Sequence, residues 1–138
     1  MKTGIICGSF DLIHNGHINL IKRAKKRCDV LIVGVNSDRH ILLHKKHKPV
    51  LSQDVRAEII RSLKYVAQVY IIESGMDLVS KMTSLGIKID EYYRGDDARY
   101  TDWQYAENQQ LISLGIKPVY FKYTKNISST DIRNKLEK

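Results

Sequence analysis

The chain has 138 residues, with 23 Lys and Arg against 15 Asp and Glu, for a formal charge of +8. At 43% hydrophobic and 28% charged residues it sits in the ordinary globular range, which excludes disordered, collagen-like and disulfide-scaffold classes. No apolar run approaches the roughly 20 residues of a membrane span, and Cys7 and Cys28 form neither a disulfide framework nor a metal spacing. A single domain over residues 1–138 is expected, with reduced thiols and a cytoplasmic location. The stretch from Met1 to Gly8 has too short an apolar core for a signal peptide. The positive charge admits three partners: nucleic acid, an anionic membrane surface or a small polyphosphate.

In chain order, apolar runs rich in β-branched residues recur at Ile5 to Cys7, Val30 to Val35, Val69 to Ile72, Ile89 to Tyr93 and Pro118 to Phe121. They are continuous rather than alternating, as in strands covered on both faces. Between them lie segments of helical period, with Ile18, Leu20, Ile21 and Ala24 in the first and Val55, Ile59, Ile60 and Leu63 in the second. Ser52 reads as an N-cap, Gly86 and Gly115 as helix stops, and Ser128 or Ser129 as the cap of a last helix from Thr130 to Leu136. This β-α alternation builds an α/β doubly wound, about five-stranded parallel sheet with helices on both faces. Its ligand belongs at the carboxyl ends of the strands.

Charge is concentrated between Lys22 and Lys48, where nine Lys and Arg face only Asp29 and Asp38. Part of it is the first helix, which must turn much of its surface to solvent. The rest, Lys45, Lys46 and Lys48 with His47, reads as a loop after the second strand, either closing over anionic substrates or simply solvated.

The first strand runs into Gly8-Ser9-Phe10-Asp11 and then His14-Asn15-Gly16-His17, which opens directly into the basic helix. A strand-to-helix turn of this kind binds phosphate: Gly8 permits close backbone approach, Ser9 offers a hydroxyl and an amide, and Gly16 frees the helix start. Neither a dinucleotide-binding glycine pattern nor a P-loop lysine is present. Two histidines at the positive end of a helix suit a polyphosphate and the charge that builds on it.

In this setting the motif resembles the signature of the HxGH nucleotidyltransferase superfamily, with a Rossmann-like fold, and within it glycerol-3-phosphate cytidylyltransferases. Val35-Asn36-Ser37-Asp38, Arg56, Gly95-Asp96-Asp97 and Ile127-Ser128-Ser129-Thr130 follow in the family's order. The resemblance implies transfer of a cytidylyl group from CTP to a small phosphorylated alcohol, with release of pyrophosphate. It implies that His14, His17 and Lys46 are catalytic, and that Gly8, Ser9, Phe10, Gly16, Asp96, Ile127, Ser128, Ser129 and Thr130 bind nucleotide. Asp11, Lys45 and Arg56 would face the acceptor, with Asp11 near one Mg²⁺, directly or through water. A homodimer, no nucleic-acid or membrane partner, and a product used in cell-envelope polymers are also implied.

On their own, Asp96 and Asp97 read as a turn and Ser128 to Thr130 as a cap. The sequence departs from the family at Tyr123-Thr124-Lys125-Asn126, where an arginine and a glycine are usual, and at Ser74-Gly75-Met76-Asp77, where the glycerol-3-phosphate enzymes carry a lysine. Arg94-Gly95 with Thr101-Asp102-Trp103 also looks like the phosphopantetheine adenylyltransferases, so an adenylyltransferase using ATP is the alternative enzyme. A basic nucleic-acid-binding domain is the non-enzymatic one.

Overall fold

A computed structural model describes residues 1–95 and 102–122. Five strands, β1 (Thr3–Gly8), β2 (Val30–Asn36), β3 (Gln68–Ile72), β4 (Glu91–Gly95) and β5 (Lys117–Phe121), form one wholly parallel sheet in the order β3-β2-β1-β4-β5. The chain winds outward from β1 to β3, then returns to add β4 on the other side of β1. This reversal leaves a crevice at the carboxyl ends of β1 and β4, where ligands of doubly wound sheets bind.

Among the described residues five helices cover the sheet: α1 (Asn15–Arg27), α2 (Asp38–Lys45), α3 (Gln53–Arg61), α4 (Gly75–Ser84) and α5 (Asp102–Ser113). Ile21 and Ala24 of α1 and Ala57 and Ile60 of α3 pack with Ile6, Leu31, Val33 and Val35 on one face. Leu78, Val79 and Met82 of α4 and Leu111 of α5 pack with Ile5, Ile32 and Ile72 on the other. Both faces of β1 and β2 are therefore buried, as the unbroken apolar runs predict. Among the described residues no helix is long and apolar enough to cross a membrane.

Several boundaries follow the sequence closely. Ser52 accepts from the Val55 amide at 3.4 Å, and Gly86 and Gly115 adopt φ of 73° and 80°, the left-handed backbone that ends a helix. Others differ. Helix α2 is not foreseen, because Ile41 is its sole buried residue and no apolar stripe reveals it. Lys45 therefore ends a helix rather than lying in a loop, and Lys46 is the left-handed C-cap at φ 59°. Strand β4 starts at Glu91, two residues later than the apolar run.

Glu91 is buried because its carboxylate accepts from Arg27 Nε at 3.1 Å and Nη2 at 2.9 Å, and from the Tyr93 hydroxyl at 2.9 Å, with Lys2 Nζ at 3.1 Å. Part of the basic character of α1 is thus structural. Arg27 holds Glu91 down to about 2, well below its ordinary 4.5. A depressed carboxylate contributes stability above its unfolded value that is lost as pH falls through the folded one, here between about 4.5 and 2. Glu91→Gln is expected to cost about 2 kcal/mol near neutral pH and to flatten the acid limb of the stability curve in that window, measured by urea unfolding from pH 7 to 2.

Candidate active site

The spacing of His14 and His17 has a local cause. His14 is the N-cap of α1 in extended backbone and His17 is its third helical residue, so each can cap for the other. The Gly16 amide donates to His14 Nδ1 at 3.1 Å, and the His14 amide donates to His17 Nδ1 at 3.3 Å. A ring nitrogen that accepts from a backbone amide carries no proton. Both neutral imidazoles therefore hold theirs on Nε2. The rings stack with centroids 4.0 Å apart. Burial, then His14 and the positive charge of Lys45, lower His17 to about 4 from an ordinary 6.5. The site thus presents neutral N–H donors at the positive end of a helix, ready for a ligand that brings its own negative charge.

The loop before α1 holds this pair in place. The Phe10 ring meets His17 edge-on at 5.6 Å and lies over Gly8, where an added Cβ would stand 3.0 Å from it. Phe10 and Leu12 adopt φ of 51° and 53°, which with Lys46 are the non-glycine residues in the left-handed region among those described. All three border the same end of the sheet, as strained backbone at a functional site does. Ser9 Oγ accepts from Asn36 Nδ2 at 3.2 Å, tying the ends of β1 and β2 together.

Two residues expected to face the acceptor turn inward instead. Arg56 is wholly buried, and its guanidinium donates to Leu51 O at 2.9 Å, to Ser9 O and Asn36 O at 2.7 Å each, and to Asp38 Oδ1 at 2.7 Å. Its fork is spent on three loops, the contacts of a brace. Asp11, 4% exposed, accepts from the amides of Val50 at 2.8 Å and Leu51 at 2.9 Å. Both carboxylate oxygens are committed to the loop before α3, so the residue fits a clamp better than a direct metal ligand. Among the described residues no group of three or more His, Cys, Asp or Glu could hold a metal.

Beside the histidines a cavity of about 580 Å³ opens at the carboxyl ends of the strands. Lys45 joins the two, since it lines this cavity and its charge acts on His17. Other walls are Arg94 at the end of β4 and Trp103 of α5, together with His40 and His44 of α2 and Glu107 of α5, which were not foreseen. Arg94 pairs with Glu107 and lies 4.4 Å above the Tyr92 ring. Its position at a strand's carboxyl end was the available signal. Gly75 closes the far end, where a Cβ would come within 2.1 Å of the Tyr92 hydroxyl. Cys7 also lines the cavity, and burial pushes its thiol up to about 12, leaving it unreactive.

The expected nucleotide ligands Asp96, Ile127, Ser128, Ser129 and Thr130 lie outside the described residues. Lys46 is exposed at the end of α2, two turns of backbone from the start of that helix and next to Lys45.

A crevice at the sheet's reversal, an imidazole pair on a helix start and a cavity at the strands' carboxyl ends fit the nucleotidyltransferase class that the family match shows. The family model described as "Cytidylyltransferase-like" matches residues 5–135, and the chain belongs to that family. It is 32% identical to the glycerol-3-phosphate cytidylyltransferase of Bacillus subtilis, covering 99% of this chain and 98% of that protein. It is 28% identical to the FAD synthase of Thermococcus kodakarensis, over 96% of this chain and 91% of that one. Among solved structures, the lipopolysaccharide core biosynthesis protein of Thermoplasma volcanium superposes with a TM-score of 0.71 at 25% identity, over 92% of this chain and 99% of that one.

Proposed function

We propose that this nucleotidyltransferase moves a cytidylyl group from CTP to a small phosphorylated alcohol, of the glycerol 3-phosphate, polyol or amino-alcohol class. The carrying observation is the neutral, stacked His14–His17 pair on the start of α1, with Lys45 standing between it and the cavity. In the reaction an oxygen of the acceptor's phosphate bonds to the α-phosphorus, the bond from that phosphorus to the bridging oxygen of the β-phosphate breaks, and pyrophosphate leaves. The nucleophile is already ionised at neutral pH, so no general base is required, and catalysis reduces to positioning and charge stabilisation. His17 Nε2–H donates to the α-phosphate, His14 supports it, and Lys45 and Lys46 draw the two anions together.

Mg²⁺ would suit a triphosphate substrate by neutralising its charge, and because it keeps most of its waters it would take few protein ligands, with Asp11 the nearby carboxylate, through water. Asp11 then acts on the site by fixing the loop at Val50 and Leu51. ATP is the second reading, favoured by the similarity to an FAD synthase, whose named product contains adenine.

The test is pyrophosphate release with CTP and ATP separately, against glycerol 3-phosphate, ribitol 5-phosphate, glucose 1-phosphate, phosphoethanolamine and phosphocholine. Turnover of at least one acceptor with CTP, lost on chelating Mg²⁺, is the expected result. Turnover with ATP alone transfers the proposal to adenylyl chemistry, and no turnover with either nucleotide overturns it.

A further inference from the structure

The second histidine pair, His40 and His44, lies one turn apart on α2 with ring centroids at 4.2 Å, and both line the cavity. Its chemistry is the reverse of the first. His40 Nδ1 meets the backbone carbonyl of Glu73. A carbonyl only accepts, so this nitrogen carries the proton, and the neutral ring has a bare lone pair on Nε2. Burial lowers the His40 pKa, and the hydrogen bond to the Glu73 carbonyl opposes it. His17 therefore donates from Nε2 where His40 accepts.

A phosphate group offers only acceptors and has nothing to give a bare ring nitrogen. What His40 can hold is a ligand's hydroxyl or N–H. Arg94 lines the same cavity and imposes the complementary demand, because a guanidinium only donates and calls for an acceptor; its buried Nε–H has no hydrogen-bond partner among the described residues. One ligand group that both donates and accepts is an alcohol, and a ligand with several satisfies both sides. A quaternary ammonium headgroup supplies neither. The 580 Å³ of the cavity leave room for more than three carbons.

We propose that His40 is a specificity-determining residue for the acceptor: its Nε2 accepts a hydrogen bond from a hydroxyl of a polyhydroxylated phosphate ester seated between α2 and Arg94. This inference rests on the nucleotidyl-transfer reading above. It prefers polyol and sugar phosphates to phosphocholine.

Two substitutions split the ring's roles. Asparagine can keep the donor to Glu73 O but has no acceptor at the Nε2 position, whereas glutamine can place its amide oxygen there and forgoes the Nδ1 contact. With the best acceptor of the panel, His40→Asn is expected to raise the acceptor KM at least about tenfold, and His40→Gln to stay within about threefold of wild type, while the nucleotide KM is steady in both. The opposite order would trace the ring's role to Glu73 and overturn the proposal, as would an unchanged acceptor KM in both variants. Phosphocholine used as well as ribitol 5-phosphate or glucose 1-phosphate would overturn it too. Failure of the wild-type enzyme on every acceptor is a different result: it removes the nucleotidyl-transfer reading and this inference with it.

Discussion

His17→Asn is expected to lower kcat/KM by about 10³-fold, equivalent to about 4 kcal/mol of transition-state stabilisation, with little change in stability. The choice of asparagine follows from the geometry. Its side-chain oxygen can stand where Nδ1 accepts from the His14 amide at 3.3 Å, so the helix cap survives. What disappears is the Nε2–H donor. His17→Ala removes both and is expected to cost about 1 kcal/mol of stability in addition, the usual worth of a lost cap. Steady-state pyrophosphate release and urea unfolding on the two variants separate the roles. Retention of near wild-type turnover by His17→Asn removes His17 from catalysis.

The same histidine sets a pH signature. Because burial and two neighbours bring its pKa to about 4, free enzyme keeps the ring neutral throughout the physiological range. Below 6.5 the unfolded chain binds the proton before the folded one, so this group makes stability fall as pH drops from about 6.5 to 4. His17→Asn abolishes that component. The pH profile of kcat/KM should likewise show no inflection near 6.5 that His17→Asn removes, since that ratio reports groups of the free enzyme.

The legible and illegible parts of this site divide by what a linear pattern can encode. Val30 to Val35 announces a doubly covered strand by composition alone, and Ser52 announces a helix start by its hydroxyl. His14 and His17 are visible as a motif, yet their tautomers depend on which backbone amides reach them, and that requires the folded turn. Helix α2 carries so little apolar periodicity that its cavity-facing histidines could not be singled out. Asp11 and Arg56 read as ligands because they are charged residues near an anion site, while their burial, the two backbone amides on Asp11 and the four acceptors of Arg56 are properties of long-range packing.

That reassignment of Arg56 carries the largest expected loss of stability. The guanidinium has no exposed surface and joins the ends of β1 and β2, the loop before α3 and Asp38 through four donors. Removing one partner of a buried network leaves the others unsatisfied, and Arg56→Ala is expected to cost about 3–5 kcal/mol. For a domain of this size that lowers Tm by about 10–15 °C. Lysine is no remedy, because one ammonium cannot span Ser9 O, Asn36 O and Asp38 as a planar fork does, and Arg56→Lys should lose about 2–3 kcal/mol. The decisive readout is kinetic. A brace acts through the positions of Ser9 and Leu51, so Arg56→Lys assayed well below its Tm should keep an acceptor KM within about threefold of wild type. A residue bound to the incoming phosphate would raise that KM about 100-fold at unchanged stability, since a charge-assisted contact of that kind contributes about 2–3 kcal/mol. Loss of stability with a near-normal acceptor KM is the outcome the buried fork requires.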